Sequence, residues 1–131
     1  MSIFTRIVQG EIPSYKIAED DRFYAFLDIN PMQRGHTLVI PKREVDYLFD
    51  LSEEELGALF IFARRVALAI QQVVPCKRIG VAVLGMEVPH THVHLVPLNR
   101  ERDIDFSKSK CTLTPEEFTQ LSAEISNVFY Q

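Results

Sequence analysis

Residues 89–97 read PHTHVHLVP, and three of the four histidines in this chain of 131 residues stand at alternate positions within it. These are His90, His92 and His94. Side chains two residues apart on an extended strand lie on the same face, so the sequence predicts a row of three imidazoles on one face. The intervening side chains then face the core; they are Thr91, Val93 and Leu95. The chain thus concentrates its imidazoles in one short run.

Three interpretations of this row are open. A strand rises about 3.3 Å per residue, so the outer two Cα atoms are about 13 Å apart and three rings reach one metal ion only with strain. Two of the rings and a distant ligand would be enough for a metal site. Alternatively, the histidines satisfy only local hydrogen bonds. The third interpretation is that imidazoles of near-neutral pKa act on a phosphorus centre, as nucleophile and as hydrogen-bond donors, without a metal.

The fourth histidine, His36, lies in the segment GHTLVIPK at residues 35–42, just before its apolar part. The β-branched residues of this run indicate a buried strand. If that strand is a neighbour of the histidine run, all four histidines line one pocket.

Outside these two runs, helical and extended patterns alternate. Apolar residues at helical spacing near the start, ended by Gly10, predict a short N-terminal helix. Two strands are predicted on either side of residues 20–21. A further strand, RIGVAVL at residues 78–84, precedes the histidine run.

The clearest helix follows Ser52, which forms a capping box with Glu55. Its predicted core-facing stripe is Leu56, Leu59, Phe60, Ala63, Val66, Ile70 and Val73. Ile61 and Leu68 lie roughly opposite this stripe and one heptad apart. They are either two isolated exposed residues or part of a contact with a second subunit.

A last helix is predicted at about residues 115–129, because TPEE at residues 114–117 is a capping signature with proline at the first helical position. About five strands arranged as hairpins and three helices predict an α+β domain on an antiparallel sheet, formed by residues 1–131 as one unit. The polar stretch at residues 99–110 is interpreted as an ordered lid, a dimer contact or a flexible connector.

The composition is typical of a soluble globular domain, with 47% hydrophobic and 24% charged residues. A net charge of −4 argues against nucleic acid as the main partner. Cys76 and Cys111 form no CxxC pair, which indicates reduced thiols and a cytoplasmic location. No signal segment is recognised, and charged residues interrupt the apolar stretches before membrane-spanning length, so no membrane contact is expected.

The histidine run resembles the signature of the histidine triad (HIT) family, His-φ-His-φ-His-φ-φ with φ apolar, from which Thr91 is a mild departure. Three further segments occur in the family's order and at about its spacing. They are IFTRIVQGEIP (3–13), EDDRFYAFLDINP (19–31) and GHTLVIPK (35–42). The resemblance implies a HIT-like fold of five antiparallel strands with a long central helix. For the phosphoramidase-like branch it also implies a homodimer whose sheets join into one.

The chemistry that the resemblance implies is nucleotidyl transfer without a metal or other cofactor. By position, His92 matches the nucleophile, which attacks an α-phosphorus and forms a nucleotidyl-histidine that water then hydrolyses. An imidazole with an ordinary pKa near 6.5 is mostly neutral at pH 7, as this attack requires, and a main-chain carbonyl bonded to Nδ1–H would hold the needed tautomer. His94 matches the position that binds phosphate oxygens, and His90 and His36 match supporting positions.

The resemblance also implies a purine nucleotide site. Asp28 matches a position that accepts hydrogen bonds from ribose hydroxyls, although a carboxylate before Asn30-Pro31 also serves to form a turn. Further residues match positions that line the base, where periodicity alone predicts core; they are Ile3, Phe4, Ile7, Phe26 and Ile29. The expected substrates are AMP- or GMP-linked compounds, either phosphoramidates or dinucleoside polyphosphates.

Two segments depart from the family pattern. Many bacterial members hold a structural zinc with C-x-x-C and a later histidine; the corresponding residues here are Ser2, Thr5 and Glu44, so no structural zinc is expected. Relatives also have a longer segment before the triad that ends in Gln or Ser, where this chain has Met86 and Glu87. Glu87 either turns to solvent or faces a cationic amine of the leaving group.

Three functions therefore remain open from the sequence. The first is a HIT-type hydrolase with a covalent intermediate on His92. The second is a nucleotide-binding regulatory module with little turnover, which the shortened segment before the triad keeps open. The third is a metalloenzyme built on the paired histidines.

Overall fold

The computed structural model describes residues 1–107 and 110–131, and within them five strands form one antiparallel sheet. The strands are β1 (Lys16–Glu19), β2 (Phe23–Leu27), β3 (Thr37–Pro41), β4 (Arg78–Ala82) and β5 (Val93–Leu98). Their order across the sheet is β1-β2-β3-β5-β4. The α-helices are α1 (Ile3–Val8), α2 (Glu53–Val73) and α3 (Pro115–Phe129), with 3-10 turns at Leu48–Asp50 and Glu101–Asp103. The predicted α+β architecture is confirmed.

The two faces of the sheet are covered by different helices, because side chains alternate along each strand. In β2, Phe23, Ala25 and Leu27 belong to the larger core, which lies beneath α2 and α3. The other face carries a smaller apolar cluster, to which α1 contributes Phe4 and Ile7. The helix α1 therefore covers a part of the sheet that the two long helices leave free.

Strand β5 places His94, the last histidine of the run, on the face that α1 covers. Val93 and Leu95 lie in the larger core, as predicted, so the alternate residue His94 emerges on the opposite face. It pairs across the sheet with Leu38 of β3. The strand begins only at Val93, so His90 and His92 precede it, because the amide and hydroxyl of Thr91 bond to the Val45 carbonyl in a loop instead of continuing the strand.

Helix α2 begins with the predicted capping box between Ser52 and Glu55. The predicted stripe is wrong at Phe60, which is 37% exposed, whereas Phe62 is 3% exposed. The buried residues follow an i, i+3, i+4, i+7 pattern starting at Leu59, which turns the helix so that Phe62 packs against the Phe23 ring. Phe60 lies at the edge of this face.

By length and composition alone, α2 is also apolar enough to cross a membrane, which the sequence expectation did not foresee. After its first turn, the charged residues of the helix are Arg64 and Arg65, and both are exposed. The buried side of the helix packs on the sheet, as in the core helix of a globular protein.

Opposite that buried side, α2 carries apolar residues that contact solvent. Ile61 and Leu68 are exposed, as their positions predicted. Val81 of the neighbouring edge strand β4 is exposed as well. Every residue of β4 is half-buried or exposed, whereas β2 and β3 are buried throughout. The edge strand β4 is thus the least buried of the five strands.

Candidate active site

The rings of His92 and His94 lie side by side at the surface of a cavity. Their centroids are 5.0 Å apart in an edge-to-face arrangement. His36, which precedes β3, brings its Nε2 to 3.0 Å from His94 Nδ1. These three histidines line one cavity, but His90 is fully buried and lies outside its lining. The hypothesis that all four histidines line one pocket is therefore wrong for His90.

Backbone groups determine which nitrogen of His36 and His94 carries the proton. The amide of Met32 donates to Nδ1 of His36 over 3.0 Å, so the proton of the neutral His36 ring is on Nε2. That Nε2–H donates to Nδ1 of His94. The proton of His94 is consequently on its own Nε2. His94 thus offers an N–H donor on the side of its ring away from His36.

The same reasoning gives His92 the opposite tautomer. Its Nδ1 lies 2.7 Å from the carbonyl oxygen of His90, which can only accept a hydrogen bond. The proton is therefore on Nδ1, and Nε2 carries a free lone pair. The main-chain carbonyl that the sequence led us to expect belongs to the residue two positions earlier. Neighbouring His92 and His94 thus present a nucleophilic nitrogen and an N–H donor.

His90 has both ring nitrogens engaged in hydrogen bonds within the protein. Its Nε2 donates to the Pro41 carbonyl over 2.7 Å, and its Nδ1 accepts from the Ser2 hydroxyl over 2.7 Å. His90 therefore connects the end of β3 to the start of α1. Its contribution to the site is the carbonyl that orients His92.

Burial keeps the supporting histidines neutral. Desolvation is the main cause that lowers the pKa of His36 to about 3 and that of His94 to about 4, with smaller effects from neighbouring histidines and from the positive charge of Lys110. Desolvation lowers the pKa of His90 too. Neutral rings are what the tautomers described above require.

Asp28, which follows β2, forms a turn with one carboxylate oxygen and faces the cavity with the other. Its Oδ1 accepts the Asn30 amide over 2.8 Å, which forms the turn. Its Oδ2 lies 3.6 Å from His36 Nε2 and lines the cavity. Because His36 is neutral, this contact is not an ion pair. Burial raises the pKa of Asp28, against the opposing effects of the Asn30 amide and Lys110.

Two cavities share the wall that His92, His94 and Asp28 form. The inner cavity, about 300 Å³, lies beside α1. All five residues predicted to line the base are there, namely Ile3, Phe4, Ile7, Phe26 and Ile29. The Phe4 ring packs edge-on against His92, with centroids 5.0 Å apart. The sequence reasoning missed Ile12, Leu38 and Val88, which are among the other residues of this lining.

The outer cavity, about 310 Å³, lies on the other side of the shared wall. Phe106 and Lys110 line it, and the sequence reasoning assigned neither to the site. The Phe106 ring packs edge-on against His94 with a centroid distance of 5.0 Å. This part of the polar stretch thus lies against the site, which composition alone could not indicate. Lys108 and Ser109 of that stretch lie outside the described residues.

The comparisons with known proteins agree with this geometry. The family model described as "HIT domain" matches residues 9–101. An uncharacterized HIT-like protein of Borreliella burgdorferi is 35% identical over 132 residues, covering 95% of each chain. An adenosine 5′-monophosphoramidase of Schizosaccharomyces pombe is 34% identical over 128 residues, covering 95% of this chain and 96% of the relative.

A HIT-like protein of Bartonella henselae, described as involved in cell-cycle regulation, has a crystal structure that superposes with a TM-score of 0.82 at 28% identity. The match covers 97% of this chain and 95% of that one. The chain belongs to the histidine triad family. Its fold, its sheet order and its histidine run are accordingly those of a HIT protein.

In this HIT protein, the three residues compared with a family zinc site, Ser2, Thr5 and Glu44, form a hydrogen-bonded cluster. The carboxylate of Glu44 accepts the Ser2 amide and, over 2.6 Å, the Thr5 hydroxyl. These two bonds lower the pKa of Glu44 to about 2. The Ser2 hydroxyl in turn donates to His90. The cluster ties the first turn of α1 to the residues after β3.

A second group of potential metal ligands lies at the HIT histidines themselves. Atoms of Asp28, His36 and His94 come within 4.8 Å of one another. However, Nε2 of His36 carries a proton, because the Met32 amide occupies Nδ1, and a protonated nitrogen has no lone pair for a metal ion. The arrangement fits a hydrogen-bond relay better than a metal centre.

The position of Glu87 is compatible with both interpretations made from the sequence. It is exposed, yet it lines both cavities at their shared mouth. Its negative charge is close enough to raise the pKa of Asp28 slightly further, after the larger effect of burial. Glu87 therefore faces both solvent and the space beside the histidines.

Proposed function

We propose that this HIT protein is a nucleotidyl hydrolase that forms a covalent intermediate on His92. The observation that carries the proposal is the pair of opposite tautomers at the shared wall of two cavities. His92 presents a lone pair and His94 an N–H donor, and both are set by main-chain groups. A nucleophile next to a hydrogen-bond donor is what attack on a phosphate ester or amide requires.

In the proposed first step, Nε2 of His92 attacks the α-phosphorus of a nucleoside monophosphate derivative. The Nε2–P bond forms and the bond from phosphorus to the leaving nitrogen or oxygen breaks. The leaving group departs with the electron pair and takes a proton from water at the cavity mouth. His94 donates its Nε2–H to a phosphate oxygen, and the His90 carbonyl stabilises the imidazolium through Nδ1–H.

In the second step, water attacks the phosphorus and the Nε2–P bond breaks. The nucleoside monophosphate is released, and His92 regains its lone pair. The proton lost by the attacking water passes to solvent, which balances the proton taken up in the first step. The positions of the two histidines are fixed throughout by main-chain hydrogen bonds, so positioning supplies much of the rate.

The inner cavity suits a purine nucleoside. Phe4, Ile7 and Phe26 form an apolar slot next to His92, and Asp28 lies at its end with a carboxylate oxygen for ribose hydroxyls. The Schizosaccharomyces pombe relative is named an adenosine 5′-monophosphoramidase. We therefore favour AMP-linked phosphoramidates as substrates, with GMP-linked compounds and dinucleoside polyphosphates as further members of the class.

The proposal is tested with adenosine 5′-phosphoramidate. We expect release of ammonia and AMP by the wild type, and a loss of at least about 10³-fold in kcat for His92→Ala, which still binds AMP. Tight AMP binding by the wild type without turnover would favour the alternative, a regulatory nucleotide-binding module. The feature that favours that alternative is the shortened segment before the triad, in which Glu87 places a negative charge at the cavity mouth.

We also propose that two copies associate through the β4 edge and the outer side of α2. The exposed apolar residues Ile61, Leu68 and Val81 support this, as does the poor coverage of β4. An uncovered edge strand beside apolar surface is suited to pairing with a second copy. Sedimentation of the wild type as a dimer, and of Leu68→Asp as a monomer with an unchanged circular dichroism spectrum, is the expected result; a monomeric wild type would contradict it.

A further inference from the structure

The outer cavity contains a charge that the proposed chemical steps do not use. Lys110 lines it, next to Phe106. Among the described residues that line either cavity, Lys110 is the only lysine or arginine. An ammonium group at the mouth of a phosphate-binding site is expected to attract whatever anionic group lies beyond the α-phosphate.

Contacts within the chain hold Lys110 beside the reacting groups. Its Nζ donates to the Phe106 carbonyl over 3.4 Å and lies 5.9 Å from the centre of the Phe106 ring. That ring packs against His94. The positive charge of Lys110 also contributes to the lowered pKa values of His36 and His94, which agrees with the proximity of Lys110 to these two rings. Lys110 therefore extends the wall of the site outward from His94.

The direction of attack indicates what this part of the site contacts. In an in-line displacement the leaving atom lies opposite the attacking nitrogen. His92 is buried, with 7% exposure, so it lies at the bottom of the cavity. The leaving group, opposite His92, then points toward the cavity mouth. The mouth of the outer cavity is formed by exposed residues, including Met86, Phe106 and Lys110. The inner cavity is then available for the nucleobase of the substrate.

We propose that the outer cavity is the leaving-group site and that Lys110 makes it select leaving groups that carry a negative charge. This inference rests on the proposed function and specifies the substrate class within it. Glu87, at the same mouth, opposes Lys110 and favours a positive charge on the leaving group. The two residues together set the charge preference, and Lys110 lies on the His94 side of the cavity.

The test uses three adenylyl phosphoramidates that differ only at the end of the leaving group. They are made from β-alanine, n-propylamine and 1,3-diaminopropane, and so end in a carboxylate, a methyl group and an ammonium group. We expect the wild type to have a higher kcat/KM for the β-alanine compound than for the propylamine compound. The ratio of these two kcat/KM values, β-alanine compound over propylamine compound, is expected to fall about fivefold in Lys110→Gln and to be retained in Lys110→Arg. It should also decrease with added salt.

Two further variants serve as controls. Lys77→Gln makes the same change in net charge at an exposed lysine outside both cavities, and should leave the ratio unchanged. Glu87→Gln should raise the ratio and lower the relative rate of the diaminopropane compound. A general structural disturbance would not move the ratio in opposite directions in the variants at positions 87 and 110.

The outcomes separate the two proposals. Turnover of all three compounds with the same ratio in the wild type and Lys110→Gln would overturn the role of Lys110 and leave the proposed function intact. Absence of turnover of any compound by the wild type, with AMP still bound, would overturn the proposed function and this inference with it. A shift of the ratio in Lys110→Gln that Lys77→Gln does not show would support both.

Discussion

At the scale of single residues, the site depends on main-chain groups that fix protons on imidazole rings. His36 contacts neither His92 nor the expected position of the phosphorus, yet its Nε2–H determines which nitrogen of His94 can donate. The Met32 amide determines the state of His36 in turn. His36 is thus a positioning residue, whose effect reaches the substrate through His94.

Replacing His36 tests this relay. In His36→Ala, His94 loses its hydrogen-bond partner and can adopt the tautomer that presents a lone pair to the phosphate. We expect kcat for adenosine 5′-phosphoramidate to fall roughly 10- to 100-fold with little change in KM, since the phosphate bond of His94 matters most in the transition state. His36→Gln, whose amide can donate to His94, should recover part of the rate. Equal loss in both variants would contradict the relay.

At the scale of elements, α1 is the part of the fold most dependent on a few polar contacts. It has only six residues, and Glu44 holds its first turn through the Ser2 amide and the Thr5 hydroxyl. Phe4 in that turn packs against both His90 and His92. The position of the inner-cavity wall therefore follows from the position of this helix.

Weakening that attachment should affect nucleotide binding. In Glu44→Gln the carboxylate can no longer accept both hydrogen bonds with full charge, and we expect Kd for AMP to rise about fivefold. Calorimetry on the variant measures this directly. The matched control is Glu54→Gln, which removes an exposed carboxylate paired with Arg22 and does not contact α1. A similar rise in both variants would show that α1 is not positioned by Glu44.

The two phenylalanines of α2 provide a test of how this helix is turned. Phe62 contacts the rings of Phe23 and Phe129, so Phe62→Ala should lower the free energy of unfolding by about 3–5 kcal/mol. Phe60→Ala removes a partly exposed ring and should cost less than about 1 kcal/mol when both variants are made in the Leu68→Asp background, which is designed to disrupt the proposed dimer. Urea denaturation distinguishes them, and equal losses would contradict the observed rotation.

The elements could be predicted from sequence because each carries a local signal. Capping boxes mark the starts of α2 and α3, and alternation in the histidine run gives the face of β5. The rotation of α2 was misjudged at Phe60 because a wide apolar face has no sharp edge in sequence. The roles of Phe106 and Lys110 depend on how a polar loop returns to the sheet, which no periodicity indicates.

At the scale of the whole molecule, the buried histidines make stability depend on pH. The pKa values of His36 and His94, about 3 and about 4, lie well below the ordinary value of 6.5. The unfolded chain therefore binds more protons than the folded one as the pH falls below 6.5. Asp28 has the opposite sign, because its raised pKa lets the folded chain keep a proton. The buried histidines, His90 among them, outweigh this one carboxyl group.

Stability should consequently fall between about pH 7.5 and about pH 5, by on the order of 1–2 kcal/mol for each histidine that stays neutral in the folded chain. Urea denaturation of the wild type at both pH values measures the loss. His36→Gln should show a smaller loss, because the unfolded variant has one imidazole fewer to protonate. Equal stability of the wild type at the two pH values would contradict the buried neutral state.

The measurement that tests the central claim most directly is the trapping of the intermediate. The wild type is mixed with adenosine 5′-phosphoramidate, quenched in alkali within one turnover, and analysed by intact mass and peptide mapping, since a phosphorus–imidazole bond survives base better than acid. We expect an AMP adduct on His92, formed at least as fast as the overall reaction and absent in His92→Ala. Steady turnover without an adduct, or with the adduct on another residue, would contradict the account.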